Sequence, residues 1–204
     1  MGPGKSEGGM QPGDAELVIR CQRGDLTAFN LIVERYQSRV FNVAARILGN
    51  RASAEDVAQE TFVSAYRAIG RFRGGSLPAW LMRIATNASR DFLRASRRRP
   101  AESLDEFLLE PGFQPSSGDP TPEQQLLAGE LGAAIQEIIL SLPEDQRAVL
   151  VLVDVQGFSY EETATATGVS NGTVKSRLSR ARARMRDQLV QKRELLPDEF
   201  RQVG

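Results

Sequence analysis

The chain has 204 residues, with 26 Lys and Arg against 26 Asp and Glu, one cysteine and no histidine. That length suits one or two domains with real cores, and the lone cysteine and missing histidine exclude an internal disulfide and a Cys/His zinc site. No apolar run approaches membrane-spanning length and no signal peptide is visible, so the expected compartment is the cytoplasm.

Zero net charge argues against a uniformly basic nucleic-acid binder, but the charges are segregated. Residues 67–99 hold nine Arg against one acid, Asp91. Residues 101–146 hold ten acids and no Lys or Arg, and basic residues then return in the last helix. Two basic surfaces separated by an acidic segment suit two DNA contacts joined by a linker.

In chain order, residues 1–13 are rich in Gly and Pro and are expected to be disordered, with Met10 an alternative initiator. Residues 14–22 read as a short helix capped by Asp14, with Leu17, Val18 and Cys21 as its apolar side. Residues 26–48 carry Phe29, Ile32, Val33, Tyr36, Val40, Phe41, Ala44 and Leu48 at helical spacing, and Gly49 ends that helix. Ser53 is expected to cap a third helix running to about Ile69. Its core side is Ala54, Val57, Ala58, Thr61, Phe62, Ala65 and Ile69. Its other side carries Asp56, Gln59, Glu60, Val63 and Arg67. An exposed Val usually means nothing, yet Val63 ringed by Asp56, Gln59 and Glu60 fits the centre of a docking patch.

Residues 70–76 (GRFRGGS) form a basic, glycine-rich loop. The helix over 77–97 buries Leu77, Trp80, Leu81, Ile84, Ala88 and Phe92. Its outer arc is Arg83, Thr86, Asn87, Arg90, Arg94 and Arg97, with Asp91 near the buried edge. An arc so poor in acids resembles a nucleic-acid face. Residues 100–120 carry prolines, glycines and acids and read as a linker, in which Leu104, Phe107, Leu108 and Leu109 are apolar enough to dock. Thr121 is expected to cap a helix over 122–141. Leu142-Pro143 breaks it, and another helix follows over 143–155.

Residues 158–186 read as a short helix, a tight turn and a longer basic helix. Ser159 and Glu162 have capping-box spacing. Gly168 falls where a left-handed backbone is needed, and Ser170 can cap the second helix. Val174, Leu178, Ala181, Met185 and Leu189 share one side of that helix. Ser176, Ser179, Arg180 and Asp187 point away from it, flanked by Lys175, Arg177, Arg182, Arg184 and Arg186. This is a helix-turn-helix whose second helix suits a major groove.

The stretches SLPEDQRAVLVLVDVQGFSYEETA and NGTVKSRLSRARARMR resemble the C-terminal domain of bacterial sigma factors. EDVAQETFVSAYRAIGRFRGGSLPAWLMRIATNASRDFLR resembles their conserved second region. With only these two domains, the chain resembles the extracytoplasmic-function (ECF) group of the sigma-70 family. The resemblance implies an all-α fold of two small helical domains joined by a flexible acidic linker. Residues 14–99 would be region 2, 100–120 the linker, 121–191 region 4 and 192–204 a tail.

It also implies roles by position. Asp56, Gln59, Glu60 and Val63 fall on the core RNA polymerase contact. Phe72, Arg73, Gly74, Gly75 and Ser76 match the loop that captures a flipped base of the minus-ten element. Asn87, Arg90 and Arg94, with Arg83 on the same arc, match the helix lining that element. Lys175, Ser176, Arg177, Ser179 and Arg180 match the minus-thirty-five reading face, with Thr173 on phosphate. Trp80 is expected to be mainly core. Thr163 and Thr167 stand where the family prefers aliphatic residues. The implied partners are core polymerase, promoter DNA and an anti-sigma factor, with no metal or cofactor. The alternative is a stand-alone helix-turn-helix regulator, which would need a ligand pocket or dimer interface. An enzyme is not expected, for the chain has no nucleophile constellation and no phosphate loop.

Overall fold

The computed structural model describes residues 12–98 and 122–191, with side chains of the second stretch from residue 129 onward. The expectations for the N-terminus, the linker, the Thr121 cap and the C-terminal tail lie outside the described residues. All regular structure among the described residues is helical.

Helix α2, Leu26–Leu48, is the axis of the first domain. It starts where the Asp25 carboxylate accepts the Ala28 N–H at 3.1 Å, and it stops at Gly49, whose φ of 71° suits glycine. Its apolar stripe buries Phe29, Ile32, Tyr36, Val40, Val43 and Ile47. Against it pack α1 (Asp14–Gln22), α3 (Arg51–Ala68) and α4 (Leu77–Arg98). A 3₁₀ turn, Ile69–Arg71, leads into the loop before α4.

Two caps differ from expectation. Asp14 does not cap α1. Gly13 occupies that position without a side-chain bond, because the Asp14 carboxylate is drawn across to Arg35 at 2.6 Å and to the Tyr36 hydroxyl at 2.5 Å. Burial, then the bond to Asp14, pushes the Tyr36 phenol up to about 12. Ser53 does not cap α3 either. Asn50 does, accepting the Ser53 N–H at 2.8 Å from an extended backbone.

The second domain holds α5 (Pro122–Ser141), α6 (Glu144–Leu150), α7 (Tyr160–Thr167) and α8 (Asn171–Gln191). The helix expected over 143–155 begins at Glu144 and widens after Leu150 into a π-helical turn, Val151–Val155. The capping box of α7 is formed: Glu162 N–H donates to Ser159 Oγ at 3.2 Å and Ser159 N–H to Glu162 Oε2 at 3.1 Å. Gly168 ends α7 at φ 70°, and Ser170 caps α8 by accepting the Thr173 N–H.

The two domains share one apolar core, in which Ile32 and Leu81 of the first belong with Leu152 and Leu178 of the second. Polar atoms seal the joint. Arg147, only 8 % exposed, donates to the Ile47 carbonyl at 2.6 Å, to Leu142 at 3.1 Å and to Leu140, so one cation serves the carbonyl ends of α2 and α5. Arg39 donates to the Gln156 carbonyl at 2.6 Å and lies 4.1 Å over the Phe158 ring. Arg46 and Gln136 bond across the same joint.

Candidate nucleic-acid interface

The glycine-rich loop is built from the backbone outward. Gly74 and Gly75 have φ of 101° and 94°, a conformation that side chains with a Cβ resist. Gln22 on α1 donates to the Ile69 and Phe72 carbonyls at 3.1 and 2.9 Å, which pins the loop to the first helix. Between them lies a cavity of about 400 Å³, walled by Val18, Ile19, Phe72 and the loop glycines, with Arg73 at its edge. Trp80, expected to be mainly core, is only half-buried and packs on Phe72 with ring centroids 5.2 Å apart. Ser76 caps α4 by accepting the Ala79 N–H at 3.3 Å.

The outer arc of α4 is partly covered. Arg83, Asn87 and Arg94 are exposed and Arg90 is half-buried, but Thr86 is 0 % exposed. Its hydroxyl lies 2.8 Å from the Met82 carbonyl and 3.2 Å from that of Ala166 on α7. The expectation that Thr86 faces solvent fails because α7 docks on this arc. Asp91 also departs from expectation: it is exposed, 3.4 Å from Arg94. Burial, with Arg177 and Arg94 nearby, lowers the Arg90 guanidinium below its usual range. The basic edges of the two domains therefore meet, and Arg97–Glu144 at 2.7 Å bridges them.

The four residues expected to form one docking patch, Asp56, Gln59, Glu60 and Val63, are all exposed along one stripe of α3, between a groove on the α2 side and a cleft on the α4 side. Gln59 and Val63 face a groove of about 810 Å³ shared with Val33 and Phe41 of α2. Asp56 and Glu60 instead line a cleft of about 680 Å³ with Asn87 and Asp91 of α4. Val63 is 44 % exposed, high for an apolar side chain at the rim of an apolar groove.

On α8 Met185 and Leu189, expected on the buried side, are half-buried, and so is Arg177, expected on the reading face. Val174, Leu178 and Ala181 are buried, while Lys175, Ser176, Ser179 and Arg180 are exposed. Arg180 folds back on its own turn, donating to the Ser176 carbonyl at 3.1 Å. Lys175 lies 6.0 Å over the Tyr160 ring, and Thr173 is half-buried beside Ser170. Arg177 is tied to Asp145 at 2.9 Å with its side chain 21 % exposed, and Arg182 is held by Asp154. The roles of Asp145 and Asp154 carry no local sequence signal, since each meets its Arg from 28 or more positions away. Thr163 and Thr167 are buried. Thr167 donates to the Thr163 carbonyl at 2.7 Å, and the Thr163 hydroxyl finds no partner.

Among the described residues no helix is long and apolar enough to cross a membrane, and no cluster of acids, Cys or His could hold a metal ion.

Comparison with known proteins identifies this arrangement. The family model for sigma-70 region 2 matches residues 32–99, and that for sigma-70 region 4 matches residues 132–185. The chain is 41 % identical to the RNA polymerase sigma-H factor of Pseudomonas aeruginosa over 84 % of its own length and 91 % of the relative's. It is 41 % identical to the ECF RNA polymerase sigma-E factor of Escherichia coli, over 83 % and 90 % of the two chains. Two solved structures share its fold: CnrH in complex with the cytosolic domain of CnrY (TM-score 0.62, 26 % identity, covering 85 % of this chain and 94 % of that one) and the sigma factor RpoE of Bartonella quintana in complex with the anti-sigma factor NepR (TM-score 0.61, 27 % identity, 80 % and 98 %). The chain belongs to the ECF sigma factors of the sigma-70 family, which direct RNA polymerase to promoters to initiate transcription.

Proposed function

We propose that this chain reads a promoter in two halves while held to core polymerase through α3. Val63 and Gln59, at the rim of the groove between α2 and α3, are the apolar anchor for polymerase, with Asp56 and Glu60 supplying charge beside them. Phe72 to Ser76 take an extruded base of the minus-ten element, and Asn87, Arg90, Arg94 and Arg83 follow its strand. Lys175, Ser176, Ser179 and Arg180 read the minus-thirty-five duplex, with Thr173 on phosphate. The chain does no bond chemistry of its own. Its task is to hold unstacked bases, each costing a few kcal/mol to extrude, and it works in the cytoplasm, where polymerase and promoters are.

The observation that carries this reading is the cavity of about 400 Å³ beside the left-handed Gly74 and Gly75. It is concave, has an aromatic wall, is lined by Arg73 as well as by Asp14, whose carboxylate is paired with Arg35, and sits at the start of an Arg-lined helix. Permanganate footprinting of the polymerase complex tests it. Asn87→Ala, or replacement of the loop, should reduce unstacked thymines more than it reduces initial binding. Equal opening in the variants removes this region from melting.

The two reading surfaces are joined here, whereas the elements they would read lie about 25 base pairs apart, roughly 85 Å at about 3.4 Å per pair. Residues 99–121, fully extended, reach roughly 80 Å. Promoter engagement thus requires the domains to part. CnrH was solved in complex with the cytosolic domain of CnrY and the Bartonella RpoE in complex with the anti-sigma factor NepR, and a partner of the anti-sigma kind is proposed to hold this chain closed.

A further inference from the structure

Two cations of α8 are committed before any DNA arrives. Arg182 donates through Nε and Nη2 to both carboxylate oxygens of Asp154, at 3.0 and 2.6 Å. Arg177 Nε lies 2.9 Å from Asp145 Oδ2. At 3.6 residues per turn the two arginines fall on opposite sides of the buried Val174–Leu178–Ala181 stripe, each about 70° from its centre. Asp145 stands on α6, against which α8 packs, and Asp154 on the π-helical turn that continues α6. The exposed arc between the arginines carries Ser176, Ser179 and Arg180.

We propose that Asp145 and Asp154 are positioning residues for upstream-element recognition, acting as opposed stays that fix the roll of α8 about its own axis. The proposal rests on the reading of α8 as the recognition helix. Exposed ion pairs add little to stability, but a two-point Arg–carboxylate contact fixes orientation. Orientation matters here. A roll of about 20° moves a side-chain tip at a radius of about 6 Å by roughly 2 Å, more than a base-edge hydrogen bond tolerates. The pairing has a second consequence. A guanidinium neutralised by Asp154 is withheld from phosphate, so Arg182 contributes to sequence reading through geometry and not to general affinity through charge.

The test uses the full chain bound to core polymerase, on promoter duplexes with single base changes in the upstream element, over several salt concentrations. The chains are the parent, Asp154→Asn and Asp154→Glu. Asp154→Asn should lose roughly fivefold to tenfold discrimination at the most sensitive base, the low end of one bidentate contact. Its salt slope should steepen by roughly one unit, as the freed Arg182 meets a phosphate. Asp154→Glu keeps the charge and should keep the parent's slope and most of its discrimination. Asp154→Asn matching the parent on both readouts overturns the proposal, as does Asp154→Glu as impaired as Asp154→Asn. If the parent itself does not discriminate among the duplexes, the reading of α8 fails and the proposal with it.

Discussion

The Ser76 hydroxyl donates to Glu162 Oε1 at 2.9 Å while it caps α4. Glu162 uses its other oxygen for the capping box of α7. One hydroxyl and one carboxylate thus join the N-termini of α4 and α7, both of which favour negative charge. The loop proposed to capture a base is tied to the first helix of the helix-turn-helix.

That contact has a pH signature. The bond accepted from the Ser159 N–H, and those from the Ser76 and Ser159 hydroxyls, hold Glu162 below its usual value of 4.5. The Ser159 bonds lie within α7 and persist if the domains part, so only the Ser76 bond links this titration to closure; that contribution is fully present above pH 4.5 and is lost as pH falls through the lowered value. Small-angle scattering should show the parent expanding below that pH. Glu162→Gln, which keeps the cap but not the charge, should respond less. Identical profiles would remove Glu162 from the latch.

Arg147 should matter for stability. Arg147→Met leaves the Ile47, Leu140 and Leu142 carbonyls without their donor, at a cost of roughly 2–4 kcal/mol. Because those carbonyls belong to both domains, calorimetry should show one transition for the parent and two for the variant. An unchanged single transition would mean that the apolar core alone joins the domains.

Thr163 offers the opposite sign. Its buried hydroxyl lacks a partner, so Thr163→Val should raise stability by about 1 kcal/mol through removal of an unsatisfied group at nearly constant shape. Chemical denaturation measures it, and a loss of stability would point to an unseen partner for that hydroxyl.

Much of this fold is written locally. The capping box of Ser159 and Glu162, the glycines at 49 and 168 and the apolar stripe of α8 depend on residues within a turn or two, and each formed as its spacing implies. What escaped was set at a distance. Thr86 looks outward by periodicity and is buried because α7, some eighty residues later, covers it. Asp14 has good capping chemistry, but Arg35 and Tyr36 draw its carboxylate away. Asn50 and Ser53 are both good caps, and only the extended backbone at Asn50 decides between them.

Arg180 should carry base reading. It is exposed and bonded only to its own helical turn, so it is free to redirect a bidentate contact to guanine. Arg180→Ala should cost about 1–3 kcal/mol at one base position and little elsewhere. Binding to single-base variants of the upstream element reports this. A uniform loss across all duplexes would make Arg180 a phosphate anchor.

This chain is proposed to program polymerase through the surface around Val63. Transcription in vitro from a cognate promoter, with core polymerase and either the parent or Val63→Glu, tests it most directly. The parent should yield promoter-specific transcript. Val63→Glu, which keeps the fold because Val63 is 44 % exposed, should yield none and fail to co-purify with core polymerase. Full transcription by Val63→Glu would overturn the docking assignment, and none by the parent would overturn the proposed two-element promoter reading.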